Sequence, residues 1–168
     1  VAHTLIVGIT ESGKTTLAKL LCDNARKSGI GTLVLDPMHD TWNAEFQTDD
    51  EREFLEVFWQ SRNCDVYIDE AGDMIGQYDK TMIQTATKGR HWGHNVHFLT
   101  QRGAMISPTV REMCRTLILF VSSRAACKVL AEEYNEPRIL EASGFEVGEY
   151  FVKPRHGDLE HRHLFKEI

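Results

Sequence analysis

The sequence is poor in features that staple, span or repeat. It has four cysteines in 168 residues, Cys22, Cys64, Cys114 and Cys127, and no Cys-x-x-Cys pair among them. Their spacing fits no zinc pattern, so they read as reduced, mostly buried thiols of a reducing compartment. Long apolar runs are also missing. The longest, Thr116 to Val121, falls far short of the ~20 residues that a bilayer-spanning helix requires. No basic-plus-apolar stretch opens the chain as a signal segment would. No repeat, linker or low-complexity segment stands out, which excludes solenoid, collagen and coiled-coil architectures. What is present is an ordinary globular composition, 42% hydrophobic and 26% charged. The length predicts one domain, residues 1–168, able to bury about 70% of its unfolded surface without cross-links.

An overall positive charge is lacking too: the formal net charge is −6. The balance is uneven along the chain. Residues 1–87 carry 7 basic and 15 acidic side chains, whereas residues 88–124 carry six cations, Lys88, Arg90, Arg102, Arg111, Arg115 and Arg124, against Glu112 alone. Arginine suits bidentate contact with phosphate. The central stretch is therefore either a solvated charged surface or one that meets the phosphates of a nucleotide or nucleic acid.

Apolar periodicity alternates between the two regular patterns. Strands are predicted at His3–Val7, Thr32–Asp36, Asp65–Asp69, Val96–Thr100 and Thr116–Val121. Helices are predicted at Lys14–Lys27, Asp49–Ser61, Lys80–Arg90, Pro108–Cys114 and Arg124–Tyr134. Glu149–Val152 and His161–Phe165 are expected to pair as a hairpin across Gly157-Asp158. Strands alternating with helices imply an α/β fold, a mainly parallel sheet between helices with a C-terminal antiparallel hairpin.

The chemistry concentrates in three places. Gly8-Ile9-Thr10-Glu11-Ser12-Gly13-Lys14-Thr15 matches Gly-x4-Gly-Lys-Ser/Thr without a mismatch, after a strand and before a helix that continues with Thr16. Such a loop turns its N–H groups and the helix N-terminus toward phosphate. Lys14 adds a point charge for the β- and γ-phosphates, and the Thr15 hydroxyl is a hard oxygen suited to Mg²⁺. Val66-Tyr67-Ile68-Asp69-Glu70 is an apolar strand ending in two acids. Asp69 is placed to hold the Mg²⁺ shell and Glu70 to deprotonate an attacking water, a pairing that points to ATP hydrolysis; the bland alternative is a solvated turn before Ala71-Gly72. Third, Val96 to Thr100 leads into Gln101 and Arg102. In a parallel sheet the strand C-termini share one rim, where Gln101 would reach the γ-phosphate or the water, unless Thr100 or Gln101 merely caps backbone groups. An arginine from a neighbouring subunit would complete such a site. Arg90, Arg102, Arg115 and Arg124 are candidates, with Arg90 and Arg115 carried forward.

Taken together, these segments resemble the FtsK/HerA superfamily of ring-forming P-loop ATPases. The resemblance runs over roughly residues 4–153. It is carried by the phosphate loop, Leu33-Val34-Leu35-Asp36-Pro37 with His39-Asp40, Ile68-Asp69-Glu70, Gly89-Arg90-His91-Trp92-Gly93, Leu99-Thr100-Gln101-Arg102 and the strand closing on Val121-Ser122-Ser123. Gly103 stands where the family usually has proline. Within the superfamily the small size resembles the genome-packaging ATPases of tailless viruses and phages with an internal membrane. The resemblance implies an additional-strand core with a catalytic glutamate, a hexameric ring with nucleotide at subunit interfaces, and double-stranded DNA in a central pore. It assigns phosphate and Mg²⁺ to Lys14 and Thr15, the metal shell to Asp69, the base to Glu70 and the sensor to Gln101. The expected function is ATP-driven packaging of a viral double-stranded DNA genome into a preformed capsid. Capsid or portal-vertex proteins are the expected partners, in the host cytoplasm or at the virion vertex. Three alternatives stand beside it, a filamentous-phage assembly ATPase, a P-loop small-molecule kinase and a non-catalytic nucleotide-gated binding module.

Histidines attract a metal reading without sustaining it. His91, His94 and His97 are spaced by three, but Gly93 interrupts any helix there. They are expected on a polar surface or against nucleic acid, and His156, His161 and His163 in a solvated tail. Trp92 is expected at a subunit interface, on DNA or in the core.

Overall fold

The computed structural model describes residues 2–70, 80–103 and 106–168, with the side chains of 80–82 left aside. The Ala71-Gly72 turn lies outside the described residues. The chain forms one eight-stranded sheet in the order β3-β2-β4-β5-β1-β6-β7-β8. Its strands are β1 (His3–Val7), β2 (Gly31–Leu35), β3 (Phe46–Thr48), β4 (Cys64–Ile68), β5 (Asn95–Thr100), β6 (Cys114–Phe120), β7 (Glu149–Pro154) and β8 (Glu160–His163). β3 to β6 pair in parallel; β7 and β8 close the other edge antiparallel. The helices are α1 (Lys14–Lys27), α2 (Glu51–Gln60), α3 (Lys80–Lys88), α4 (Pro108–Met113) and α5 (Arg124–Glu133), with 3₁₀ turns at Gly89–Trp92 and Pro137–Gly144.

Side-chain alternation sorts the core into two layers. Leu5, Val7, Leu33, Leu35, Val66 and Ile68 face the side covered by α2, α4 and α5, whose Phe54, Phe58, Val110 and Leu130 complete that layer. Ile6, Val34, Tyr67 and Leu99 face the other side, against Leu17, Ala18 and Cys22 of α1. Strands covered on both faces read as continuous apolar runs, and Leu5, Ile6 and Val7 have no exposed surface. All four cysteines are buried and unpaired.

The expected elements are present, with ends displaced by a residue or two. Two pieces lacked a sequence signal. β3 is a three-residue edge strand, too short to alternate, and Pro137–Gly144 winds as a 3₁₀ segment. α3 stops at Lys88, and Arg90 lies in the following 3₁₀ turn.

The expectations for His94, His97 and His163 are corrected, while His91, His156 and His161 are exposed as expected. His94 is fully buried: its Nδ1 accepts the Cys64 N–H (3.1 Å) and its Nε2 donates to the Phe58 carbonyl (2.9 Å). His97 stacks on Tyr67 at 4.5 Å, beside Asp65 at 3.9 Å. Neither forms a polar surface, because both lie under helices that cover a two-sided sheet. In the tail, the His163 side chain is 4% exposed and bonds Glu146 at 2.9 Å, and His161 bonds Glu149 at 2.7 Å. Trp92 donates to the Trp59 carbonyl (2.9 Å) and packs between Trp59 and Arg62, half-buried. Among the described residues no helix is long and apolar enough to cross a membrane.

Candidate nucleotide site

The parallel strands end along one rim, and the chemistry-bearing loops gather there. After β1 the chain is held from both sides: the Gly8 N–H donates to the Thr100 carbonyl (3.1 Å) and the Ile9 N–H to the Val121 carbonyl (3.0 Å). A side chain at Gly8 has no room, since a Cβ would lie 2.3 Å from Ser12 Oγ and 2.8 Å from Phe120 Cβ. The loop then turns through Glu11 (φ 62) and enters α1 at Gly13 (φ 112). No side chain caps α1, and its first turn has no acid. Its free N–H groups and positive dipole end therefore face outward, the arrangement that binds anions. Lys14 and Ser12 are buried, at 5% and 1% exposure, and Ser12 Oγ has no partner among the described residues. A buried ammonium, uncapped N–H groups and an orphan hydroxyl at one helix start fit a phosphate chain.

The acids arrive from β4 and β2. Asp69 is 4% exposed; its N–H donates to the Leu35 carbonyl (2.9 Å) and its Oδ1 accepts the Glu70 N–H (2.9 Å). Burial pushes the Asp69 carboxyl up to about 6, with Asp36 and Glu70 adding to the rise while the Glu70 N–H and Lys14 oppose it. A carboxylate whose charge is penalised in this way gains most from a cation beside it, so with the Thr15 hydroxyl it fits a hard divalent ion. Glu70 follows with left-handed backbone (φ 54), which turns it off the strand direction at the rim. Among the described residues no three His, Cys, Asp or Glu side chains cluster as a metal site. A cation there would rely on Thr15, Asp69 and the phosphates themselves.

A cleft of about 550 Å³ joins these groups: Lys14, Thr15, Asp69, Glu70 and Gln101 all line it. Thr10, Glu11, Ser12, Gly13 and Thr16 form its floor. Gln101 is exposed, and the backbone-capping role falls to Thr100, whose Oγ1 accepts the Arg102 N–H (3.1 Å). Arg90 and Arg115 do not join the cleft. Arg90 precedes β5 and Arg115 opens β6, which puts both exposed side chains at the opposite end of their strands. Arg102 and Arg124 follow strand C-termini on the cleft rim. Arg111 is buried and pairs with Glu133 at 2.8 Å.

Sequence reasoning missed two contributions. Asp36 is a structural clamp: its carboxylate accepts the N–H groups of Met38 (2.8 Å) and Asp40 (2.9 Å) and the Trp42 indole (3.0 Å), which shapes the loop that brings Met38 and Asp40 to the cleft. Its adjacency to Pro37 was the available signal. The C-terminal hairpin also reaches the phosphate loop, where the Gly148 N–H donates to the Ser12 carbonyl (2.9 Å). Nothing in the local sequence announces that contact.

The strand order completes the definition. β5 separates β1, which carries the phosphate loop, from β4, which carries the paired acids. An additional strand at that place, a glycine-bounded loop with Lys14 and a rim glutamate define a P-loop ATPase of the FtsK/HerA kind. The chain belongs to the Zonular occludens toxin (Zot) family, whose model matches residues 2–129. No curated protein matches the sequence. Solved structures do match. The genome packaging NTPase B204 of Sulfolobus turreted icosahedral virus 2, in complex with ATP-gammaS, aligns with a TM-score of 0.79 at 15% identity over 98% of each chain. VirB4 of Thermoanaerobacter pseudethanolicus aligns with a TM-score of 0.75 at 9% identity, over 98% of this chain and 90% of that one. The pCW3 conjugation coupling protein TcpA aligns with a TM-score of 0.76 at 14% identity, over 96% of this chain and 59% of that one. At these identities the likeness is one of fold.

Proposed function

We propose that residues 1–168 form a single ATPase domain that moves double-stranded DNA into a preformed viral capsid. The observation that carries this reading is the convergence of Lys14, Asp69 and Glu70 on one cleft at the strand C-termini, with β5 inserted between their strands. The fold likeness to a viral genome packaging NTPase over nearly the whole chain supports the choice of cargo.

In this reading the N–H groups at the start of α1, Gly13 to Thr16, and the Lys14 ammonium hold the β- and γ-phosphates of ATP. Thr15 and Asp69 hold Mg²⁺, which supplies neutralisation of the charge on the phosphate oxygens. Glu70 accepts the proton of the water that attacks the γ-phosphorus, and Gln101 orients that water. Arg90 or Arg115, facing away from their own cleft, reach the cleft of the next subunit in a hexameric ring. The exposed cations of segment 88–124, Lys88, Arg102 and Arg124 among them, give DNA a local field that the net charge of −6 does not cancel, and Arg111, paired with Glu133, takes no part in it. Capsid or vertex proteins anchor the ring, in the host cytoplasm or at the virion.

The test is phosphate release from ATP with and without linear double-stranded DNA. A DNA motor accelerates when DNA is added. Turnover indifferent to DNA, with phosphate passed to a small acceptor, would replace this reading with a kinase.

A further inference from the structure

The phosphate loop and the acids account for only part of the cleft, and the strand order says where the rest of a nucleotide lies. Asp69 and Glu70 come from β4, on one side of β1; the C-terminal hairpin β7–β8 lies on the other side, beyond β6. A triphosphate whose terminal phosphate faces the acids across the β1 loop directs its nucleoside toward the hairpin. Two apolar side chains wait there. Val147 and Phe165 line the same cleft as Lys14 and are 58% and 65% exposed. The hairpin is fixed to the loop by the Gly148–Ser12 hydrogen bond, and the Leu164 N–H donates to the Gly148 carbonyl (2.8 Å). Leu164 also touches the loop, its Cδ1 3.0 Å from where a Cβ on Gly13 would stand. Phe165 lies directly against Gly148: a Cβ there would be 2.7 Å from Phe165 Cδ2, and Gly148 holds φ +88. The ring is thus backed by the chain on one side and open to the cleft on the other.

From this we infer that Phe165, with Val147, seats the nucleobase by stacking and apolar contact, and that the seat accepts adenine and guanine alike. The inference rests on the nucleotide reading above. Its second half follows from the hydrogen bonds around the seat. The Glu146 N–H donates to Glu149 Oε2 (3.0 Å), and the Glu149 N–H to the Glu146 carbonyl (3.2 Å). Both backbone groups of Gly148 are engaged with Ser12 and Leu164. The Phe165 N–H donates to His163 Nδ1 (3.1 Å), while the Glu146 carboxylate takes His163 and Lys166. The N–H groups of Glu146, Gly148, Glu149 and Phe165 are thus engaged, so these described residues offer the base edge no backbone donor that would single out one purine. An aromatic face, in contrast, is sequence-tolerant, because every base has a π-surface.

Calorimetric titration of ATP, GTP and inorganic tripolyphosphate, each with Mg²⁺, into the full chain tests the inference. The wild type binds ATP and GTP within tenfold of each other. Phe165→Ala weakens both by about tenfold or more and leaves tripolyphosphate within twofold, while Phe165→Tyr restores ATP binding. Unchanged ATP affinity in Phe165→Ala, equal loss of tripolyphosphate, or a wild-type preference beyond tenfold overturns the inference. Should the alanine variant fail to fold, photolabelling of the wild type with 8-azido-ATP decides: label is expected within residues 145–168, and label confined elsewhere overturns it. If the wild type binds neither ATP nor tripolyphosphate, the nucleotide reading itself falls. If Lys14→Ala abolishes ATP binding and Phe165→Ala does not, only the base seat falls.

Discussion

Lys14 is the side chain on which the site's electrostatics turn. It is the buried cation at the mouth of α1, 5% exposed, set among Asp69, Glu70 and Asp40 on the cleft wall. Removing a buried, hydrogen-bonding charge from a binding site costs on the order of 2–5 kcal/mol. Lys14→Ala is therefore expected to weaken Mg²⁺–ATP binding by about a hundredfold or more, read by calorimetry, with the fold intact by circular dichroism. Near-normal affinity in that variant would remove Lys14 from the phosphate site. At this scale the sequence was legible wherever the relevant groups are contiguous. Gly8 to Thr15 form one loop, and Asp69-Glu70 one strand end, so spacing alone placed them together. Asp36 and Phe165 were not legible as cleft-shaping residues. Their positions depend on hydrogen bonds to residues 38–42 and on a hairpin far along the chain.

At the scale of elements, two histidines clamp helical segments to the sheet. His3 Nε2 donates to the Ala86 carbonyl (2.8 Å) and its Nδ1 accepts the Val96 N–H (3.0 Å). His94 does the same between Phe58 and Cys64. Each clamp requires the neutral ring, because a proton on Nδ1 would face an N–H. Burial lowers the His3 pKa to about 4 and moves His94 in the same direction. The folded pKa is depressed below the unfolded ~6.5, so the stability is fully present above pH ~6.5 and is lost as pH falls toward about 4. The loss from His3 is about 3 kcal/mol over that window. Urea denaturation is expected to show it, and His3→Gln to flatten the pH slope; an unchanged slope in the variant would contradict the clamp. The sequence suggested a surface role for His94 because spacing by three registers chemistry but not burial. It gave the strands and most helices correctly, since runs such as Thr116 to Phe120 have few alternatives. β3 escaped because three edge residues carry no period, and Pro137–Gly144 because 3₁₀ turns lack a periodic signature of their own.

The whole molecule becomes a motor only if neighbouring subunits share a site. Arg90 and Arg115 lie at the far ends of their strands from the cleft, where no arginine can serve its own nucleotide. If one of them acts across an interface, its alanine variant is inactive alone, as Lys14→Ala is. Mixing the two inactive variants then restores part of the ATP turnover, because some interfaces pair an intact Lys14 with an intact arginine. Absence of recovery for both Arg90→Ala and Arg115→Ala would exclude them as trans residues. The fold class was readable from the alternation of strands and helices. The order of strands was readable only through the family resemblance, whose additional-strand core β5 supplies between β1 and β4, since apolar alternation alone does not say which strands pair. The central claim is that the rim cleft hydrolyses ATP with Glu70 as the base. The most direct measurement is phosphate release by Glu70→Gln beside the wild type, with Mg²⁺–ATP binding measured on both. A loss of about 10²–10⁴-fold in turnover with binding retained is the predicted result; turnover at the wild-type rate would contradict the account.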